Sequence, residues 1–69
     1  MKSIEIAITA EEKTIVSRLS KGEQAEIVGN DLGYVKGTFA TKMKEIRAKY
    51  GCSNTTHLVA YFLRNQIIQ

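Results

Sequence analysis

The spacing of apolar residues changes character near residue 9. Before it, Ile4, Ile6 and Ile8 alternate with polar or small partners, a strand-like period. That stretch is too short to be stable alone, so residues 1–8 are predicted to form an extended arm lying on the domain or pairing with a second copy. Beyond it the period is helical. Ile15, Val16 and Leu19 predict a helix over 10–21, and Ala25, Val28 and Leu32 turned inward predict a shorter one over 24–31. Phe39, Met43, Ile46 and Tyr50 predict a third over 36–49, and Leu58, Val59, Tyr61, Phe62 and Leu63 a fourth over 55–66. The punctuation agrees. Thr9 and Glu12 have capping-box spacing, Gly22, Gly33 and Gly51 fit turns after helices, and Ser53 or Asn54 can cap the last helix. Gly29 inside the second helix costs roughly 1 kcal/mol against alanine, which points to a close approach by a neighbouring helix. Without proline, repeats or a low-complexity linker, residues 1–69 read as one all-α domain of four short helices.

A chain of 69 residues holds one modest core. At this size only about 60% of the unfolded surface is buried, so stability is expected to be marginal and self-association a natural supplement. One cysteine and one histidine exclude a disulfide framework and a Cys/His metal cluster. Nothing resembles a signal peptide or approaches the ~20 apolar residues of a membrane span. The expectation is a soluble, cytoplasmic protein with no cofactor and no metal. Cys52 reads as a small buried hydrophobe, His57 as an exposed first-turn residue, and Glu11 and Glu12 as helix N-terminal charge and capping. With no nucleophile beside a base and no phosphate-cradling glycine loop, the residues argue against an enzyme.

Charge alters the picture by its distribution. Residues 1–35 carry four cations against six acids, whereas residues 36–50 carry five, Lys36, Lys42, Lys44, Arg47 and Lys49, against Glu45 alone. At 100° per residue from Phe39, the residues Met43, Ile46 and Tyr50 fall within about 40° of it and form the core stripe. The far side, at about 140–200°, holds Gly37, Thr41, Lys44 and Ala48. Lys36, Arg47 and Ala40 lie on one flank at about 60–100°, and Lys42 and Lys49 on the other at about 280–300°. A slim crest between two cationic shoulders fits the DNA major groove, about 12 Å wide, with phosphates on its rims and base edges at its floor. The alternative is a solvated helix face.

These residues resemble the LuxR/GerE-type helix-turn-helix domain of bacterial transcriptional regulators. The resemblance runs without gaps from Ile8 to about Val59. It is carried by ITAEE, Leu19 and Gly22, Leu32-Gly33, Gly37-Thr38-Phe39, Ile46, Lys49-Tyr50-Gly51, and Asn54, Thr56, Leu58 and Val59. It implies that 36–49 is the recognition helix, with base contacts from Ala40, Thr41 and Lys44 and phosphate contacts from Lys36, Thr38, Lys42 and Lys49. The chain departs from the family pattern at Val35, where a capping Ser is usual, at Ala40, where a Lys is usual, and at Ile27, where a Glu is usual. The family commonly joins this module to a sensing domain; a start at Met seven residues before the match suggests a free-standing regulator, with an excised domain as the alternative.

The fourth helix is apolar around most of its circumference. A two-fold homodimer through Val59, Ala60, Leu63 and Ile67 would cover the side that does not pack on the domain; the alternative is a helix buried deeply in a small core. The expected function is sequence-specific double-stranded DNA binding and transcriptional regulation. Lys36, Lys42, Arg47 and Lys49 would hold phosphates, Thr41 and Lys44 would read bases, and Ala40 would allow close approach. The competing reading is a small helical protein-interaction module or antagonist that pairs with a larger transcriptional regulator and binds DNA weakly.

Overall fold

The computed structural model describes residues 7–69, and every regular element among them is a helix. They are α1 (Ala10–Ser20), α2 (Ala25–Asp31), α3 (Lys36–Lys49) and α4 (Thr55–Arg64). Most of the expected N-terminal arm lies outside the described residues; Ala7 and Ile8 are exposed and belong to no helix. The start of α1 follows from local chemistry. Thr9 Oγ1 accepts from the Glu12 amide at 3.1 Å, and the Glu12 carboxylate accepts from the Thr9 amide at 3.2 Å, completing the capping box. Asn54, rather than Ser53, caps α4 by accepting from the His57 amide at 2.8 Å.

All four helices end alike, with the amide two residues beyond the cap turning back to a carbonyl of the last turn. Glu23 reaches Arg18 at 3.2 Å, Tyr34 reaches Gly29 at 2.9 Å, Cys52 reaches Arg47 at 2.8 Å and Ile67 reaches Phe62 at 2.9 Å. This motif requires one left-handed residue. Glycine supplies it three times, but after α4 the position is Gln66, with φ +59°. An L side chain there costs about 1–2 kcal/mol. The return is burial: the reversal ends α4 at Arg64, two residues earlier than its apolar pattern suggests, and folds the tail so that Ile68 enters the core.

The core comprises Ile15 and Val16 of α1, Val28 of α2, Phe39, Met43 and Ile46 of α3, and Leu58 and Phe62 of α4, closed by Tyr50, Cys52 and Ile68. The aromatic stripe of α3 therefore faces inward as its spacing requires. Tyr50 meets Phe62 edge-on, ring centroids 5.1 Å apart, and Tyr34 packs on Phe39 at 5.2 Å. Two expectations for the second helix change. Ala25 is exposed, and Leu32 is only half-buried, because α2 is seven residues long and turns little more than Val28 and Gly29 to the core. Gly29 has the reason its position suggested: a Cβ there would lie 2.6 Å from Cγ and 3.0 Å from Cβ of Phe39.

Gly29→Ala gains roughly 1 kcal/mol of helix propensity but forces Phe39 to move, which typically costs about 1–3 kcal/mol. Thermal or urea unfolding is expected to show net destabilisation. The penalty should shrink in a Phe39→Ala background, which removes the obstructing Cγ and Cδ2 and leaves only Cβ, at 3.0 Å. A stable Gly29→Ala single variant would contradict the packing described.

Candidate nucleic-acid interface

With its stripe buried, α3 presents the opposite face outward. Gly37, Thr41, Lys44 and Ala48 are all exposed, as are Lys36, Thr38 and Ala40 near the helix start. The crest is slim apart from Lys44. Thr41 Oγ1 donates to the Gly37 carbonyl at 3.3 Å, which fixes the hydroxyl hydrogen along the helix and leaves the oxygen facing solvent as an acceptor. Val35 occupies the N-cap position, offers no side-chain acceptor and is 70% exposed, so the first amides of α3 have no capping side chain.

The two shoulders differ, which the sequence reading did not anticipate. On one, both lysines meet carboxylates from the first turn of α1. Lys49 Nζ lies 2.9 Å from Oε2 and 3.1 Å from Oε1 of Glu12, and donates to the Ala7 carbonyl at 2.5 Å. Lys42 Nζ lies 3.6 Å from Glu11, whose other oxygen accepts from Tyr34 Oη at 2.6 Å. Lys49, expected as a phosphate anchor, is engaged within the fold, where its ammonium neutralises an acid that is itself only 3% exposed. Thr9, Lys49 and Tyr50 all converge on Glu12, and Tyr50 Oη donates to Oε1 at 2.5 Å. Spacing revealed the capping role of Glu12. Its second role depends on residues 37 and 38 positions further along and has no local signature.

Electrostatics follow from that geometry. Burial pushes the Glu12 carboxyl up, but the hydrogen bonds from Tyr50, Lys49 and Thr9, with the lysine charge, outweigh it and hold the group below the ordinary 4.5. The Tyr50 hydroxyl is driven well above its ordinary range by burial and by its bond to Glu12. Burial also raises the Cys52 thiol and keeps it protonated, consistent with a small core residue.

The other shoulder is open. Lys36 is 3.9 Å from Glu26 with its side chain 87% exposed, a loose surface pair, while Lys44 and Arg47 make no ion pair among the described residues. Between this flank and α2 runs a groove of about 340 Å³, floored by Gly29, Phe39 and Met43 and bordered by Lys36, Ala40 and Arg47. The available cationic surface is therefore the crest and one flank, from Lys36 through Lys44 to Arg47.

Val59, Ala60 and Leu63 of α4 line a shallow depression with Leu19 of α1, and Leu63 is 45% exposed. Ile67, expected among them, lies elsewhere. The reversal at Gln66 places it half-buried against the core and beside Thr14 and Ser17 of α1. His57 is exposed; its Nδ1 accepts from the Ser53 amide at 3.1 Å and supports the α4 cap.

Comparison of the chain with family models, curated proteins and solved structures gives no match. Among the described residues, no helix is long and apolar enough to cross a membrane.

A carboxylate whose folded value is depressed stabilises the fold above its unfolded pKa and loses that contribution as pH falls through the folded value. Unfolding free energy is therefore expected to drop on acidification below about 4.5, and Glu12→Gln should flatten part of that slope. Tyr50→Phe, which removes one hydrogen bond to a charged acceptor, should cost about 1.5–3 kcal/mol at neutral pH. Denaturant titrations across pH test both; identical acid profiles for wild type and Glu12→Gln would refute this role for the carboxylate.

Proposed function

We propose that this chain is a sequence-specific double-stranded DNA-binding regulator of the helix-turn-helix kind, with α3 as the recognition helix. The observation that carries the reading is the outward face of α3: a crest of Gly37, Thr41, Lys44 and Ala48 flanked by Lys36 and Arg47, with no close ion pair to these three cations among the described residues. Gly37, Ala40 and Ala48 keep the backbone slim enough to approach a groove floor. Lys44, on the crest, is positioned to read base edges together with Thr41 and with Ala40 beside a thymine methyl, while Lys36, Thr38 and Arg47 hold phosphates. The residue-level resemblance to LuxR/GerE domains supports the same helix and much the same residues. Two copies joined through Val59, Ala60 and Leu63 would offer two such helices to half-sites about one turn apart.

A specific observation favours a second reading, a protein-interaction module that binds DNA weakly. Lys42 and Lys49 are drawn onto α1, while Val35 and Ile27 expose apolar side chains around α2 and the turn before α3.

Fluorescence anisotropy with DNA selected from a random pool, repeated across salt concentrations, separates the two. With Lys36 and Arg47 on phosphates, log Kobs should fall against log salt with a slope of about −1.8 per protomer, whereas four phosphate-bound cations would give about −3.6. Lys44→Ala should lose about 1–3 kcal/mol on the selected site and relax preference at one base pair, while Lys36→Ala should weaken all sequences alike. Light scattering on the same samples is expected to report a dimer. Absence of salt-dependent binding to any duplex would favour the interaction module instead.

A further inference from the structure

Lys42 and Lys49 are held by α1 in different ways. The Glu12 carboxylate is buried, anchored to its own cap and bonded to Tyr50, so Lys49 cannot leave without stranding a charge. Glu11 is different. Its side chain is 41% exposed, its ion pair with Lys42 is long at 3.6 Å, and Tyr34 Oη donates to its other oxygen, the one Lys42 does not approach, at 2.6 Å. A half-exposed pair of this length contributes at most about 1 kcal/mol, little enough for another anion to displace it. Lys42 also lies on the flank of α3 that borders the exposed crest, where a backbone phosphate would pass if α3 enters a groove.

We infer that Glu11 is an internal competitor for DNA: its carboxylate occupies on Lys42 the place of a phosphate, so the chain holds one phosphate-binding cation in reserve. The inference rests on the DNA-binding reading above. Tyr34 positions the competing carboxylate by reaching it from the segment between α2 and α3, which ties α1 to the entrance of the recognition helix. When Lys42 moves to a phosphate it releases a counterion from the DNA, but the exposed Glu11 carboxylate recruits one from solution, so wild-type binding gains little salt dependence from this lysine. Removing the charge of Glu11 removes that compensation.

The test is a double-mutant cycle read by anisotropy on one duplex across salt, using wild type, Glu11→Gln, Lys42→Gln and the double variant. Glutamine keeps an oxygen for Tyr34 to donate to, so the fold is expected to persist, and circular dichroism of each variant checks it. Glu11→Gln should bind severalfold more tightly at low salt, with the slope steeper by about 0.9, and Lys42→Gln in that background should abolish both gains. A gain from Glu11→Gln that survives in the double variant would mean general charge repulsion and would overturn the inference. Wild-type binding with no gain from Glu11→Gln would overturn it too, leaving the DNA-binding reading intact. No binding by any of the four proteins, at the lowest salt, would remove both.

Discussion

One buried carboxylate ties the two ends of the helical domain together. Glu12 accepts from the Thr9 amide within α1, and from the Lys49 ammonium and Tyr50 hydroxyl where α3 ends. An acid this deeply buried is costly unless every oxygen has donors, and here each does. The requirement acts in both directions. The cap of α1 fixes where the carboxylate sits, and the carboxylate then fixes where α3 must end, with the Tyr50 ring directed onto Phe62 of α4. For a domain with one small core, a charged hydrogen-bonded hub supplies directional specificity that apolar packing alone does not.

The same hub gives α3 its asymmetry. Its inward stripe is committed to the core, one flank is committed to Glu11 and Glu12, and the crest and remaining flank are left to solvent. A helix with cations on every polar side becomes one with a directed positive face, within which the DNA contacts proposed for Lys36, Lys44 and Arg47 lie, with Lys42 at its border. Lys49 illustrates the point. As a formal charge on a helical projection it equals Lys44, but one sits against a buried acid and the other has no ion-pair partner among the described residues.

Small devices at the helix ends do much of the remaining work. Four reversals of one kind keep the connections short, and one of them uses Gln66 in a conformation better suited to glycine. That strain is offset by the burial of Ile68, which joins the core. The Arg18 guanidinium reaches Asp31 and Glu23 at 2.6 Å each, linking α1 to the two ends of the α2 segment from a half-buried position. Gly29 does the opposite of a tether: by having no side chain it lets Phe39 seat against α2.

By itself the sequence determined the four helices, the capping box at Thr9 and Glu12, the glycine reversals, the inward stripe of α3 and the need for a small residue at position 29. Each of these is a matter of local periodicity or backbone stereochemistry, expressed within a few residues. Only the tertiary structure decided which cations meet a carboxylate, that Ala25 faces solvent, that Glu12 is a hub, and that Ile67 leaves the α4 surface while Ile68 enters the core. Those outcomes depend on groups tens of residues apart meeting in space, or, for the tail, on whether burial repays a strained dihedral. Pairing of charges across a fold leaves no trace in the spacing along one helix.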